Sequence, residues 1–567
     1  MKGSDYITDF LADHGVTDVF GYPGALVCHL MDSLDKANRI HAHLNYHEQG
    51  SAFAACGYAL ASKTVGVAYA NGGPGATNLI SGIANAWYDS LPTIFITGQV
   101  DTTAMRGELP IRQRGIQELP IAEVVKPICK LSICVKQKEQ LRYCMERAWW
   151  EAVNGRPGPV VLEIPADIQR AEIDIDNSPS FELPDVASEE TIHAEMVLDY
   201  IKKAKRPCLL VGNGVKVARH VEEFRTLVDH LGIPVVFTLS AFDLLPFDHP
   251  LNFGFIGSNG HRYSNFILGK ADLIVTLGTR LGVKHVGNNR KGFALQAELI
   301  RIDVDERELC YPVRDGDTQI QADLIDFLPA FLGALGKTRF NYEEWQNVCC
   351  ELKSSLEGFD FSFGHQMLRA LGDRLPENCC VTADVGQHEI YLTQAMRVKS
   401  GQRVLLSTGL ASMGFSIPAA IGAHYARRAP VLALCGDGGL QMNIQEIQCI
   451  SRDQLPVKVV VFNNQALGMI REFQERNFAS RFVHSLECGG YTIPDTEKIA
   501  AAYRLPYCRV SEISELAQIN FSDGKPGLIE MMINQDTYMA PRMNRDAEIQ
   551  DMLPELDREL YNRLMAL

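Results

Sequence analysis

The stretch from Val431 to Met469 constrains the fold more than any other part of the chain. A short apolar run, Val431 to Leu434, breaks at Gly436-Asp437-Gly438. An amphipathic segment follows, and a second apolar run, Val457 to Phe462, ends at Asn463-Asn464. Two apolar runs of strand length around a helical pattern read as a βαβ unit, whose strands lie parallel in a sheet covered by helices on its faces. Ligands of such sheets sit beyond the carboxyl ends of the strands, and both polar signals of this stretch fall there. Gly436, Gly438 and Gly439 let the backbone approach a ligand closely, and the next helix offers free N–H groups to an anion. Asp437 and Asn464 supply hard oxygen ligands, with the carbonyl of Ala466 as a third. Mg²⁺ bridging a diphosphate takes such a donor set, because it prefers oxygen and only one or two carboxylates. An isolated GDG is a weak signal. A GDG followed one βαβ unit later by an asparagine pair at the same sheet edge is far more specific.

The rest of the chain repeats the alternation. Its 567 residues exceed one hydrophobic core, and at about 150 residues per domain they divide into three or four. The spacing predicts an N-terminal domain over residues 1–170. There Asp18 to Gly21 is a strand running into the Pro23-Gly24 turn, His47-Glu48-Gln49-Gly50 opens a small-residue helix, and Thr64 to Ala70 is a strand before Asn71-Gly-Gly-Pro-Gly-Ala-Thr-Asn78. Thr93 to Gly98 and Val160 to Pro165 are further strands. A Pro-containing, acidic linker is expected over residues 170–190. Over 190–340, strands at Pro207 to Val211, Pro234 to Leu239, Asp272 to Gly278 and Glu298 to Asp305 make a Rossmann-like middle domain with Gly212-Asn-Gly214 after its first strand. Residues 360–540 hold the opening stretch, preceded by Val381 to Val385, Gly386-Gln387-His388 and Leu406 to Pro418. A helical C-terminal segment, 541–567, is either a tail over a site or a packed helix. The fold class is therefore α/β, with three doubly wound parallel-sheet domains.

Composition narrows the partners. A net charge of -15 argues against nucleic acid or an anionic membrane, and 46% apolar with 22% charged residues is ordinary for a globular protein. No apolar run approaches a membrane span and Met1 to Gly15 lacks a signal-peptide core, so a cytoplasmic location is expected. The fifteen cysteines include no C-x-x-C pair and read as free thiols.

YHEQGSAFAACGYA, NGGPGATNLISGIANAWYDSLPTIFITGQV and GDG…NN, in this order, resemble the acetohydroxyacid synthase and pyruvate oxidase group of thiamine diphosphate (ThDP) enzymes. The likeness runs from Val19 to about Met539. It implies the three-domain ThDP fold, with pyrimidine-binding, middle and diphosphate-binding domains. It also implies that a desolvated Glu48 meets N1′ of the aminopyrimidine and drives proton removal from thiazolium C2, the cofactor then serving as an electron sink when a 2-keto acid loses CO₂. Gln117 matches the active-site glutamine of the family, and Met413 the bulky residue under the cofactor. Pro23, Gly24, Thr77, Gly386, Gln387, His388, Leu467, Gly468 and Met469 match cofactor-contacting positions. Asp437, Asn464 and Ala466 match the metal ligands. The family completes its site between subunits, which implies a homodimer at minimum and a homotetramer as the expected assembly.

The same resemblance brings in FAD, for which Gly212, Gly214, Arg280 and Asp303 are the candidate contacts. Here the chain departs from its relatives. Gly278 to Gly287 lacks the Asp pair the family carries, and Lys284 stands where an arginine recognises the acceptor; a lysine is a point charge without the bidentate fork. Ile116 replaces a phenylalanine, Ala166 a lysine and Phe473 a tryptophan. The leading reading is a ThDP- and Mg²⁺-dependent carboligase that decarboxylates a 2-keto acid, pyruvate by default, and passes the hydroxyethyl unit to a second 2-keto acid, an aldehyde or a keto-sugar. Alternatives are a 2-keto acid or acyl-CoA decarboxylase acting as a lyase, a flavin oxidase, and a non-catalytic scaffold, which intact Glu48, Asp437 and Asn464 argue against.

Overall fold

The computed structural model describes residues 1–184, 190–288, 290–544 and 547–567. Among the described residues, eighteen strands form three six-stranded, wholly parallel sheets flanked by helices. The first holds β1 (Asp18–Gly21), β2 (His41–Leu44), β3 (Gly66–Ala70), β4 (Thr93–Gln99), β5 (Leu131–Cys134) and β6 (Pro159–Pro165), in the order β2-β1-β3-β4-β6-β5. The second holds β7 (Pro207–Val211), β8 (Val235–Phe237), β9 (Asn252–Phe255), β10 (Leu273–Leu277), β11 (Glu298–Asp303) and β12 (Thr318–Gln321), in the order β12-β11-β10-β7-β8-β9. The third holds β13 (Cys380–Ala383), β14 (Arg403–Leu406), β15 (Val431–Gly436), β16 (Val457–Asn463), β17 (Tyr507–Val510) and β18 (Gly527–Met532), in the order β14-β13-β15-β16-β18-β17. The first and third sheets share one topology. The middle sheet has the doubly wound dinucleotide-binding order. It contains β9 and β12 besides the strands expected; β12 is short, with two of its four residues exposed, so its sequence lacks the apolar run that marks a buried strand.

The described chain divides into two compact units. One comprises residues 1–184, 378–388 and 403–535 and carries the first and third sheets. The other comprises the remaining described residues and carries the middle sheet. Within the first unit, helix Glu48–Ala61 packs along helix Ser416–Arg427. Both are rich in small residues because the backbones nearly touch: a Cβ at Gly57 would overlap the carbonyl of Ala419, and one at Gly422 would overlap the carbonyl of Ala54. Phe53 and Phe415 meet edge-on in the same core, ring centres 5.5 Å apart.

The segment after Gly436 is not one continuous helix. It breaks at Asn443 (φ -137°, ψ 39°) into Asp437–Met442, a short 3₁₀ turn and Ile447–Arg452. Asn443 holds the break by donating from Nδ2 to the carbonyl of Gly414 at 2.9 Å and to Gln49 Oε1 at 3.1 Å. The expected linker runs mostly exposed as far as residue 184, tethered to the first domain at a few points. Ile173 N–H donates to the Met1 carbonyl at 2.9 Å, and the Phe181 ring lies against Tyr143 and Trp150. Residues 185–189 of that linker lie outside the described residues.

The C-terminal segment is a packed one wherever it is described, from 541 to 544 and from 547 to 567. Its helix Arg558–Ala566 sets Leu564 into the core of the second unit with Phe266 and Trp345. Two buried cations fasten it. Arg262 forks onto Asp360 at 2.6 and 2.9 Å and donates to the carbonyls of Met552 and Pro554. Lys270 donates to the Met565 carbonyl at 2.7 Å, at the helix end that favours positive charge. No two cysteines form a disulfide among the described residues. Among the described residues, no helix is long and apolar enough to cross a membrane.

The close helix approach makes a direct test. Gly422→Leu should cost about 3 kcal/mol or more, or prevent folding, because the added atoms meet backbone rather than a movable side chain. Gly333→Ala, in exposed helix with open space around its Cβ, should gain about 0.5–1 kcal/mol. Thermal and urea unfolding of both variants checks the pair.

Candidate functional site

The carboxyl edge of the third sheet gathers four loops. β15 delivers Gly436 and Asp437, β16 delivers the 464–468 turn, β13 delivers 384–388, and the segment after β14 delivers Met413-Gly414. A Cβ at Gly438 would lie 2.7 Å from Leu467 Cδ2, 3.1 Å from the Tyr491 hydroxyl and 3.3 Å from Met413 Cε. Gly438, Met413 and Leu467 therefore form one corner, as the sequence implied.

Asp437 is only 4% exposed. Its Oδ1 accepts from the Tyr491 hydroxyl at 2.7 Å, and Oδ2 is buried with no partner. Burial pushes the carboxyl above its ordinary range, against the pull of Tyr491 and of the backbone N–H groups of Gln465, Gly438 and Ala466. Those N–H groups belong in part to the 464–466 turn, so the three expected metal ligands are together. Gln465 bends the turn with a positive φ of 55°, and Asn464 Oδ1 accepts from Ala466 N–H at 3.1 Å. Asn464 Nδ2 donates to Gln387 Oε1 at 3.0 Å. A buried carboxylate oxygen without a donor is costly unless something compensates it. One carboxylate, one amide oxygen and one backbone carbonyl fit a hard divalent cation.

Asp384, not singled out from the sequence, organises this corner. It is fully buried, its Oδ2 accepts from Gly414 N–H at 2.7 Å, and Oδ1 lies 3.3 Å from His388 Nε2. A side chain at Gly439 would overlap it. It therefore ties the Met413 loop, the 386–388 turn and the glycine cradle together. Its place at the end of β13, on the same edge as Asp437, was the available signal.

The matching edge of the first sheet builds a second cluster. Glu48 opens its helix, and His47 caps it by accepting from Gln49 N–H at 3.0 Å. Glu48 Oε2 accepts from Asn78 Nδ2 at 2.9 Å, and its Oε1 lies 3.0 Å from where a Gly75 side chain would begin. The 71–78 turn thus faces Glu48. The carboxyl is half-buried in the chain rather than desolvated, since it lies on a face with exposed Thr77 and Asn78.

Gln117 is held in a left-handed conformation, φ 64°, with Oε1 accepting from Asn71 Nδ2 at 2.9 Å. Asn71 Oδ1 also accepts from Leu26 N–H at 2.8 Å, just after Pro23-Gly24. Asn71 is thus the unforeseen hub of this cluster. Glu118 braces the loop before it by accepting from the N–H groups of Arg106, Arg114 and Gly115 at 2.6, 2.8 and 3.1 Å. Burial would raise the Glu118 carboxyl, but these donors outweigh it and hold it below its ordinary range. Ile116 stands 86% exposed.

One buried carboxylate links the two clusters. Glu446, fully buried nine positions after Asp437, accepts from Asn45 Nδ2 at 2.8 Å and Tyr46 N–H at 3.1 Å, directly before Glu48. Burial raises its carboxyl. The absent side chain of Gly50 leaves it room.

The remaining candidates are dispersed. Met469 is half-buried, while Phe473 is 51% exposed beside Phe478. In the second unit, Gly212 and Gly214 close against the Gly278 backbone at the carboxyl edge of β7 and β10. Asp303 is largely buried and accepts from Asp305 N–H at 3.0 Å, whereas Arg280 and Lys284 are exposed.

Three family models match the chain in series. They describe the N-terminal TPP binding domain of thiamine pyrophosphate enzymes over residues 1–123, the central domain over 194–331, and the C-terminal TPP binding domain over 384–530. The acetolactate synthase isozyme 2 large subunit of Escherichia coli K12 is 33% identical across 98% of this chain and 100% of that protein. Chloroplastic acetolactate synthase 1 of Oryza sativa is 34% identical across 99% and 89%. The acetolactate synthase large subunit of Lactococcus lactis is 32% identical across 97% and 96%. By these matches the chain belongs to the thiamine pyrophosphate enzymes, in their acetolactate synthase-like group.

Proposed function

We propose that the chain is a ThDP- and Mg²⁺-dependent carboligase that decarboxylates pyruvate or a similar 2-keto acid and joins the two-carbon unit to an acceptor carbonyl. Candidate acceptors are a second 2-keto acid, giving acetolactate when it is pyruvate, an aldehyde and a keto-sugar. The observation that carries this reading is the buried Asp437 oxygen without a partner, set among Asn464, Ala466 and the glycine cradle. When bound, ThDP supplies an electron sink for carbanion chemistry. Asp437, Asn464 and the Ala466 carbonyl would hold the metal. Gly386, Gln387, His388 and the N–H groups after Gly436 would receive the diphosphate, with Met413, Leu467, Gly468 and Met469 bracketing the cofactor. Pro23, Gly24 and Thr77 belong to the Glu48 side.

With the cofactor bound, Glu48 would hold or release a proton at N1′ of the aminopyrimidine, and Gln117, fixed by Asn71, would offer its amide to the reacting carbonyl. Ile116, Lys284 and Phe473 set the acceptor. In this reading Glu48 of one subunit works with Asp437 of another, so the active form is at least a homodimer and expected as a homotetramer, in a cytoplasmic setting. The functional division is 1–170, 190–340 and 360–540, with 541–567 as a C-terminal segment. FAD is the ligand proposed for Gly212, Gly214, Arg280 and Asp303. The dinucleotide order of the middle sheet supports it, and protein that stays colourless after incubation with FAD would remove it.

NMR of products formed from pyruvate, ThDP and Mg²⁺, with a panel of 2-keto acid, aldehyde and keto-sugar acceptors, should show a new carbon–carbon bond. Free acetaldehyde alone across the whole panel would overturn the carboligase. Glu48→Gln should lower kcat by roughly 10²–10⁴-fold while ThDP still binds, the range of a lost proton-transfer group. Unchanged turnover would remove Glu48 from the chemistry.

A further inference from the structure

Tyr491 lies outside every motif that marks the site, 54 positions beyond Asp437, yet its hydroxyl donates to Asp437 Oδ1 at 2.7 Å. A phenol has one proton to give, and here it is committed to this carboxylate. The approach is built from several sides. Gly438 has no side chain at the point where a Cβ would come within 3.1 Å of the hydroxyl. Gly490, with φ 93°, turns the chain immediately before the ring, and Tyr491 N–H donates to the Leu486 carbonyl at 3.0 Å.

The segment carrying the tyrosine is pinned to the site it serves. Leu467 N–H, in the turn after Asn464, donates to the Ser485 carbonyl at 3.0 Å. The fully buried Ser485 donates from its hydroxyl to Gln474 Oε1 at 2.5 Å, and Gln474 Nε2 donates to the Val483 carbonyl at 2.9 Å. One carboxylate oxygen of Asp437 is therefore occupied by a fixed donor and the other, Oδ2, is buried without one.

We infer that Tyr491 is a positioning residue for Asp437, holding Oδ1 so that the carboxylate presents Oδ2 to a divalent cation in one orientation. Hydrogen bonds to ligating carboxylates restrict their rotation, and losing such an outer partner typically costs 10–100-fold in metal affinity. The role rests on Asp437 being a metal ligand, as proposed above.

The test is a Mg²⁺ titration of the full-length protein with ThDP present, following cofactor binding by intrinsic fluorescence and by calorimetry, well below the unfolding midpoint of each variant. Tyr491→Phe keeps the ring and removes only the donor. It should weaken the apparent Mg²⁺ Kd by about 10-fold or more while the metal-free protein unfolds close to wild type. Asp437→Asn should abolish Mg²⁺-dependent ThDP binding. An affinity in Tyr491→Phe within about twofold of wild type, against the tenfold expected of an outer partner, would overturn the role, whether or not stability changes. Asp437→Asn binding with wild-type Mg²⁺ dependence would instead overturn the metal assignment beneath it.

Discussion

The structure depends first on how closely two helices of small residues can approach. Helix Glu48–Ala61 and helix Ser416–Arg427 meet with backbone against backbone at Gly57 and Gly422. This contact joins the first and third sheets into one compact unit. It also sets where the carboxyl edges of those sheets lie relative to each other. Glu48 stands at the first residue of one helix, and the other follows Met413-Gly414 within two residues. Chemistry placed at the ends of these helices inherits the precision of a contact that has no side chain to repack.

Three buried carboxylates then divide the work according to how well each is satisfied. Asp384 accepts from Gly414 N–H and sits against His388. Glu446 accepts from Asn45 and Tyr46. Both are structural anchors, because a buried charge with good donors fixes the segments that supply them. Asp437 differs in keeping Oδ2 without a donor. A fold tolerates such a group where a ligand completes it, which distinguishes Asp437 from its neighbours more sharply than burial does.

The parts of this arrangement legible in the sequence were those that depend on strand ends. Apolar runs located β15 and β16, and the residues where the runs stop, Asp437 and Asn464, fell at one edge as expected. Most interior strands of the three sheets were legible for the same reason, although β18 was not. Asn71, Asp384, Glu446 and Tyr491 were not, since each acts through partners far along the chain; Glu446 meets Asn45 across 401 positions. No periodicity reports such a pairing. The amphipathic pattern after Gly436 carries no sign of the break at Asn443, whose side chain binds Gln49 and Gly414 instead of yielding to helix geometry. Composition showed the 170–184 segment to be mostly exposed, but it does not record the ring contacts of Phe181.

The residues proposed to set the acceptor stand apart from those proposed to hold the cofactor. Ile116, Lys284 and Phe473 are exposed on the chain, outside the interlocked packing that fixes Asp437 and Asp384. Ile116 tops a loop braced by Glu118, so the residue can change while three backbone hydrogen bonds keep the loop's shape. Positions that bear no packing load can vary with the substrate without disturbing the frame beneath them. With the acceptor set by such residues, as proposed, a chain can change what it joins while the ThDP framework beneath stays as it is.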